Sequence, residues 1–437
     1  MIARSLIRSL RDNLGTVINI RGWVQTIRNQ KKVQFLVVRD HTGMIQAVHE
    51  RGGLDDNLAT IIDDLTAESA VEVIGKVIAN EKVKLGQVEI ILEDIKVLNK
   101  SEPQIPINEN SALDVRLDWR FLDLRLPKNY LLFQVQTIAE QAMREYWRKN
   151  EFIEIHSPKF MASPSESGAE LFRVEYFDRS AYLAQSPQFY KQMAMSAGFD
   201  KVFEVGPVFR ANPSFTSRHD TEFTSVDVEM SWIDSHEDVM RLEEEWLQSV
   251  LQVIHDQLGD AIEQTFGTKV TVPEAPFPRV TMSEAHSILA EYNHAPPADG
   301  KGDLDPEGER ILARHIQAKY GHEFVFVTDY PIAVRPFYHM RSDANPNVTK
   351  SFDLIWKGLE VTTGAQREHR YDVLVRQVQE KGLSLEPIRY YLDCFKYGCP
   401  PHGGFGFGLT RMLMVLLGLN NVREVTYLYR GPNRLSP

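Results

Sequence analysis

The stretch HGGFGFGLTR, His402 to Arg411, constrains this chain more than any other. Glycine occupies positions 403, 404, 406 and 408, and Phe405 and Phe407 alternate with the last three. In a strand, successive side chains point to opposite faces. Gly404, Gly406 and Gly408 then leave one face bare, and the two phenylalanines fill the other. Such a strand needs a core on its aromatic side and a close neighbour on its bare side. The apolar run MLMVLLGL after Arg411 reads as a buried helix. Two common phosphate loops are excluded. A dinucleotide fingerprint starting at Gly404 and Gly406 needs glycine at the position of Leu409, and a Walker loop ends in Gly-Lys-Ser/Thr. A flat ligand lying on the backbone and a crossing helix both remain open as the close neighbour. Arg411, at the strand exit, can stack on an aromatic base or pair with phosphate.

The chain has 437 residues, 43% apolar and 25% charged, enough for two or three domains. It lacks a run of about 18 apolar residues, so no membrane span is expected. The net charge of −11 argues against a generic nucleic-acid coat. Residues 1–100, however, carry 14 Lys+Arg against 13 Asp+Glu and form the less repulsive face. Cys394 and Cys399 cannot build a disulfide framework, and a reducing cytoplasm is the expected setting. Only His402 lies near them, too few ligands for zinc, so they read as core thiols.

The start, MIARSLIRSLRDNL, reads as an amphipathic first helix rather than a transit peptide. The strand-like TVINIRGWV follows at once, without a small-residue cleavage site. VQFLVVRD, MIQAVHE, AVEVIGKVIA and QVEIILEDIKVLN complete five strands, with LDDNLATIIDDL as a helix between the third and fourth. That pattern predicts a small barrel of the oligonucleotide-binding (OB) kind over residues 1–102. The polar stretch with Pro103 and Pro106 predicts a hinge over 103–128. Residues 129–437 open on the helical period of YLLFQVQTIAEQAMREYWRKNEF. They continue as strands and helices without βαβ regularity, so an α+β domain on an antiparallel sheet is expected.

Two more constellations carry chemistry. In FEVGPVFRANPSFTSRHDTEFTSVDVEM, Arg210 ends one strand, Arg218 and His219 lie in the loop, and Phe223 opens the next strand. Asp227 and Glu229 share a face of that strand. This hairpin suits a bent polyphosphate, with Phe223 free to stack on a base. In SFDLIWKGLEVTTGAQREH, Asp353, Glu360 and Thr363 offer hard oxygens suited to Mg²⁺ beside phosphates.

Together these pieces resemble motifs 2 and 3 of the class II aminoacyl-tRNA synthetases. Pro158, after EFIEIHS, resembles the motif 1 proline at their dimer interface. GAELF, AQSPQFYKQ, SFDLIWKGLEVTTGAQREH and FKYGCPPHGGFGFGL resemble the aspartyl enzymes of archaeal and eukaryotic-core type across the whole chain. The resemblance implies a cytoplasmic homodimer using ATP, Mg²⁺, L-aspartate and tRNA(Asp). It makes the glycine strand the floor for adenine, between Phe223 and Arg411. Arg210 matches the arginine on the α-phosphate, and Arg218 and His219 match the residues on the distal phosphates. Asp220, Gly408, Leu409 and Thr410 fall within the ATP-binding stretches. Glu360 and Thr363 match the magnesium positions, with Asp353 beside them. Arg210, Glu360 and Arg411 are the expected catalytic set.

For the amino acid, Lys191 and Arg367 match the two partners of the side-chain carboxylate, and Asn in its place would leave two buried cations unpaired. Glu170, Gln188 and Asp227 match positions around the α-ammonium. Thr363 joins this set. In the barrel, Arg28, Phe35 and Gln46 match anticodon-contacting positions, Phe35 by stacking and Gln46 by its two-way hydrogen-bonding edge. Periodicity alone also allows Phe35 to be core.

Three departures stand out. Asn212 replaces the usual motif 2 glutamate, Thr410 replaces the glutamate before the motif 3 arginine, and the chain ends TYLYRGPNRLSP. Three readings follow. One is a tRNA(Asp) charging enzyme, and another a non-discriminating form that also charges tRNA(Asn). The third is an aspartyl-adenylate-forming paralogue with a non-tRNA acceptor. Between the first two, Gln25 and the NEKVKLGQVEI segment are the places to look.

Overall fold

The computed structural model describes residues 2–437 except 53–55, 164–169, 214–215 and 297–299. The chain forms two compact units, Met1–Ala112 and Leu113–Pro437.

The first unit begins with Ile7–Asn13, a 3₁₀ helix burying Ile7 and Leu10, where an amphipathic helix was expected. Five strands close into a barrel in the order Val17–Asn29, Val33–Asp40, Gly43–Glu50, Val88–Asn99, Ala70–Ala79. Ala70–Ala79 pairs back with Val17–Asn29 to close the ring, and the parallel pair of Gly43–Glu50 with Val88–Asn99 sets Gln46 opposite Glu89. Alternation sends Ile18, Ile20, Leu36, Val38, Val71 and Val73 into one core. Phe35, between Gln34 and Leu36, lies outside that core and is half-buried. The helix Asn57–Asp64 follows the third strand, capped by Asp56 on the Ala59 N–H.

The expected hinge is shorter than 103–128. Leu113–Asp118 and Arg120–Asp123 are helical, and Arg120 is 1% exposed. Its guanidinium pairs with Asp123 and donates to the carbonyls of Glu424 and Thr426, both at 2.8 Å. Those partners lie some 300 residues on, beyond the reach of local pattern reading.

The second unit is built on an eight-stranded sheet. Its order is Arg279–Thr281, Phe324–Thr328, Ser351–Trp356, Leu359–Gln366, His402–Gly408, Glu222–Ser231, Lys201–Phe209, Ile153–Glu154. The expected antiparallel pairing holds through the six central strands, and the two edge strands pair in parallel. Helices Pro127–Lys149 and His236–Phe266 pack against each other and contribute to the same core as the sheet. Trp147 and Trp246 stack with centroids 5.1 Å apart. Trp246 meets Phe405 at 5.6 Å and Phe407 at 4.9 Å, so the aromatic face of the glycine strand fills the core. Burying each such ring contributes about 1.5–3 kcal/mol.

Candidate active site

A cavity of about 350 Å³ opens over the bare face of the glycine strand. Its floor comes from three adjacent strands. Gly406 sits between Asp227 and Thr363, and Gly404 between Glu229 and Ala365. The two-residue period puts Phe223, Ser225, Asp227 and Glu229 on one face. Glu360 and Thr363 are three residues apart, which would normally split them between faces. A bulge at this point of the strand pair brings both into reach, with the Thr363 hydroxyl 3.2 Å from Glu360 Oε1.

The glycines have two separate reasons. A Cβ at Gly404 would lie 2.0 Å from the Val228 carbonyl and 2.4 Å from Glu229 Oε2. Gly404 therefore makes room for the protein's own carboxylate, and not for a ligand. Gly406 and Gly408 line the cavity, and a Cβ at Gly408 would meet only the Arg411 side chain, at 3.6 Å.

At one end of the cavity lies a buried charge network. Glu229 is fully buried. Arg367 Nε donates to its Oε1 at 3.0 Å and Lys191 Nζ lies 3.3 Å from its Oε2. Burial pushes the Glu229 carboxyl up, but the Arg367 and Lys191 charges outweigh it and hold it below the ordinary range. Lys191 also donates to Asp227 Oδ1 at 3.0 Å, Phe405 O at 3.0 Å and Val228 O at 3.3 Å. Lys191 and Arg367, expected from the sequence to hold a substrate carboxylate, are paired in the structure with Asp227 and Glu229, because unpaired charge is not tolerated at such burial. Arg367 lines the cavity and Lys191 stands behind Asp227. Glu229, absent from the expected site residues, is the hub, and its spacing from Asp227 was the available signal.

Gln188 lines this end and donates to Gln192, whose own amide meets Tyr391 and His402. Burial drops His402 to about 4, so it is neutral near pH 7. Its Nδ1 faces the Pro400 carbonyl, which leaves Nε2 to accept from Gln192. Glu170 reaches the rim with a left-handed φ of 55° and an exposed side chain, while 168 and 169 of GAELF lie outside the described residues.

At the other end, the Arg210 guanidinium lies over the Phe223 ring at 5.4 Å. Arg411 donates to the Glu360 carbonyl at 2.9 Å and lies 3.5 Å from its carboxylate. Arg218 lines the wall, held by Glu309 at 2.9 Å. Burial beside Arg411 and Arg218 lowers the basicity of His219. Asp220 is buried, and burial pushes its carboxyl up to about 7 against the pull of Arg411, Arg210 and the Thr410 hydroxyl. Asn212 and Thr410 line the same cavity, and Leu409 is buried in the core beneath it.

Asp353 does not join Glu360 and Thr363 in the lining. It is 6% exposed and lies 2.7 Å from the Arg335 guanidinium, a residue that sequence reading missed. Burial lifts the Asp353 carboxyl to about 6, opposed by Arg335 and assisted by Glu360. Among the described residues, no group of three or more His, Cys, Asp or Glu side chains is arranged to hold a metal. Cys394 and Cys399 are both free thiols, and Cys399 is buried.

In the barrel, Arg28 lies 5.1 Å over the Phe35 ring and donates to Gln46 Oε1 at 2.8 Å. Gln46 donates to Glu89 at 3.0 Å, and Asn80 holds the other Glu89 oxygen at 2.7 Å. Both ends of the Gln46 amide are thus engaged, which fixes its orientation. Gln25 accepts from Arg39, which pairs with Glu68. No described helix is long and apolar enough to cross a membrane.

Known families match both parts of the chain. The family described as tRNA synthetases class II (D, K and N) matches residues 112–430, and the OB-fold nucleic acid binding domain matches 18–98. An aspartate–tRNA(Asp/Asn) ligase of Methanopyrus kandleri is 44% identical over 97% of this chain and 96% of its own length. An aspartate–tRNA(Asp) ligase of Pyrococcus abyssi is 40% identical over 97% of both chains. Among solved structures, the Pyrococcus horikoshii asparaginyl-tRNA synthetase with asparaginyl-adenylate superposes with a TM-score of 0.92, at 31% identity over the whole of both chains. The aspartyl enzyme of Entamoeba histolytica gives 0.89, at 31% identity over all of this chain and 93% of that one. The chain belongs to the class II aminoacyl-tRNA synthetases of the D, K and N group, with an N-terminal OB-fold domain.

Proposed function

We propose that this synthetase activates L-aspartate with ATP and transfers it to tRNA(Asp), as a cytoplasmic homodimer. One observation carries the amino-acid choice. Arg367 is a buried guanidinium facing the cavity, held by Glu229 and the Gly404 carbonyl, with one nitrogen on the neutral His339 ring. The N–H left on Nη1 of this fixed cation suits an anionic carboxylate oxygen better than the neutral oxygen of an amide. Lys191 acts from behind, holding Asp227 and Glu229 in place. Gln188, Asp227 and Glu170 surround the α-ammonium.

The first step joins the aspartate α-carboxylate to the ATP α-phosphorus in line, and pyrophosphate leaves. Arg210 faces the α-phosphate, and Phe223 and Arg411 take the two faces of adenine. Arg218 and His219 hold the distal phosphates. Glu360 and Thr363, a half-exposed carboxylate and hydroxyl at the rim, suit one Mg²⁺ that keeps several waters and neutralises phosphate charge. Asp353, paired with Arg335, acts on Glu360 from the second layer. In the second step a terminal ribose hydroxyl of tRNA attacks the aspartyl carbonyl, and AMP leaves. No side-chain nucleophile is required.

Thr410 and Asn212 are compatible with this chemistry. A carboxylate reaches the nucleotide end from Asp220, against the Thr410 hydroxyl. Dimerisation involves the segment around Pro158, and light scattering at twice the chain mass is the expected result.

The test is charging of tRNA(Asp) and tRNA(Asn) with labelled aspartate, beside pyrophosphate exchange driven by aspartate or asparagine. Exchange with aspartate and charging of tRNA(Asp) are expected. Charging of tRNA(Asn) as well would establish the dual specificity carried in the name of the Methanopyrus kandleri relative. Exchange without charging of either tRNA would overturn the tRNA-ligase reading in favour of a repurposed adenylating enzyme.

A further inference from the structure

Glu309 lies outside the sequence motifs that supply the cavity lining. It sits in the first turn of the helix Pro306–Tyr320, between motifs 2 and 3 in the chain. It is 9% exposed, and its position is unusual for a buried carboxylate. A single oxygen, Oε2, accepts from two separate elements. Arg218 Nη1 of the motif 2 loop donates at 2.9 Å, and the backbone N–H of Glu360 donates at 3.3 Å. Arg218 Nη2 is held by the Gly358 carbonyl at 3.3 Å, in the turn just before Glu360.

Arg218 and Glu360 both line the cavity, whereas Glu309 does not. It stands behind them. Two of the five guanidinium N–H groups point back to Glu309 and Gly358, and the others remain for a ligand. Arg218 alone would be a long side chain on a loop, with much rotamer freedom to lose when it meets a phosphate. Fixed on Glu309, that loss is made on folding and not on binding. The same contact fixes the backbone of Glu360, so the cation for the polyphosphate and the carboxylate at the metal position move as one unit.

We infer that Glu309 is a positioning residue for ATP, tying Arg218 and Glu360 into one preorganised polyphosphate wall. This rests on the proposed reading of Arg218 as a distal-phosphate ligand. A charge-assisted hydrogen bond of this kind corresponds to about a tenfold effect or more on the interaction it supports.

The test is aspartate-dependent pyrophosphate exchange on full-length wild type, Arg218→Ala, Glu309→Ala, Glu309→Gln and the Arg218→Ala/Glu309→Ala double variant. Thermal unfolding is followed in parallel. Glu309→Ala is expected to raise KM for ATP about tenfold, leaving KM for aspartate within about twofold. Glu309→Gln keeps an acceptor oxygen and is expected to recover part of that loss. The double variant is expected to match Arg218→Ala alone, because the two residues act as a unit. Unchanged KM for ATP in Glu309→Ala, with Arg218→Ala impaired, overturns the inference. So does an equal rise in both KM values, or full additivity in the double variant. Unchanged KM for ATP in Arg218→Ala overturns the inference together with the phosphate role of Arg218. If Glu309→Ala fails to fold, comparing Glu309→Gln with and without Arg218→Ala decides the same question.

Discussion

Gly404 and Gly408 look alike in the sequence and differ in what surrounds them. Gly404→Ala drives a methyl against the Val228 carbonyl and the Glu229 carboxylate, two groups with little room to move. It should cost about 1–3 kcal/mol or more, measured as a drop in denaturation midpoint. Gly408→Ala meets only a flexible arginine and should stay within about 0.5 kcal/mol of wild type in the same assay. Arg367 offers a second contrast. Arg367→Lys keeps the charge but cannot hold Glu229, Gly404 and a substrate carboxylate at once. It should lower kcat/KM for aspartate in pyrophosphate exchange about a hundredfold, with KM for ATP unchanged. A smaller effect than threefold would remove Arg367 from the amino-acid pocket.

At the scale of elements, the helix His236–Phe266 carries a buried carboxyl beneath the site. Glu243 accepts from the Thr362 hydroxyl across the helix–strand contact. Burial pushes it up to about 8, with Glu244 and Asp353 adding to the shift and Thr362 opposing it. A folded-state value above the ordinary 4.5 means the folded chain holds this proton more tightly than the unfolded one. That contribution is complete below about pH 4.5 and is lost as pH rises through about 8. Glu243→Gln keeps the shape and removes the titration. Its melting temperature relative to wild type should therefore rise between about pH 5 and about pH 9, and a flat difference would place the proton elsewhere. The element scale also shows why alternation alone would not have paired Glu360 with Thr363. Glu360 and Thr363 face the cavity together only because of a bulge, and strict alternation would have separated them.

For the whole molecule, the barrel and the catalytic unit make separable contributions. Phe35→Ala should weaken tRNA aminoacylation through its KM for tRNA, by about 1–3 kcal/mol if one base stacks there. Pyrophosphate exchange without tRNA should be unchanged, which separates recognition from adenylation. The sequence by itself determined the barrel, the α+β class and the glycine strand, because alternation, glycine placement and turn residues act over a few neighbours. Its resemblance to the class II motifs also brought Arg210, Phe223, Arg411 and Arg367 to one site, and all four line the cavity. Only the tertiary structure decided charge pairing. Lys191 is 36 residues from Asp227, Arg367 is 138 from Glu229, and Arg218 is 91 from Glu309. No local pattern reports such distances. A buried charge is set by whichever opposite charge the fold places beside it, and that partner is chosen by packing across the sheet.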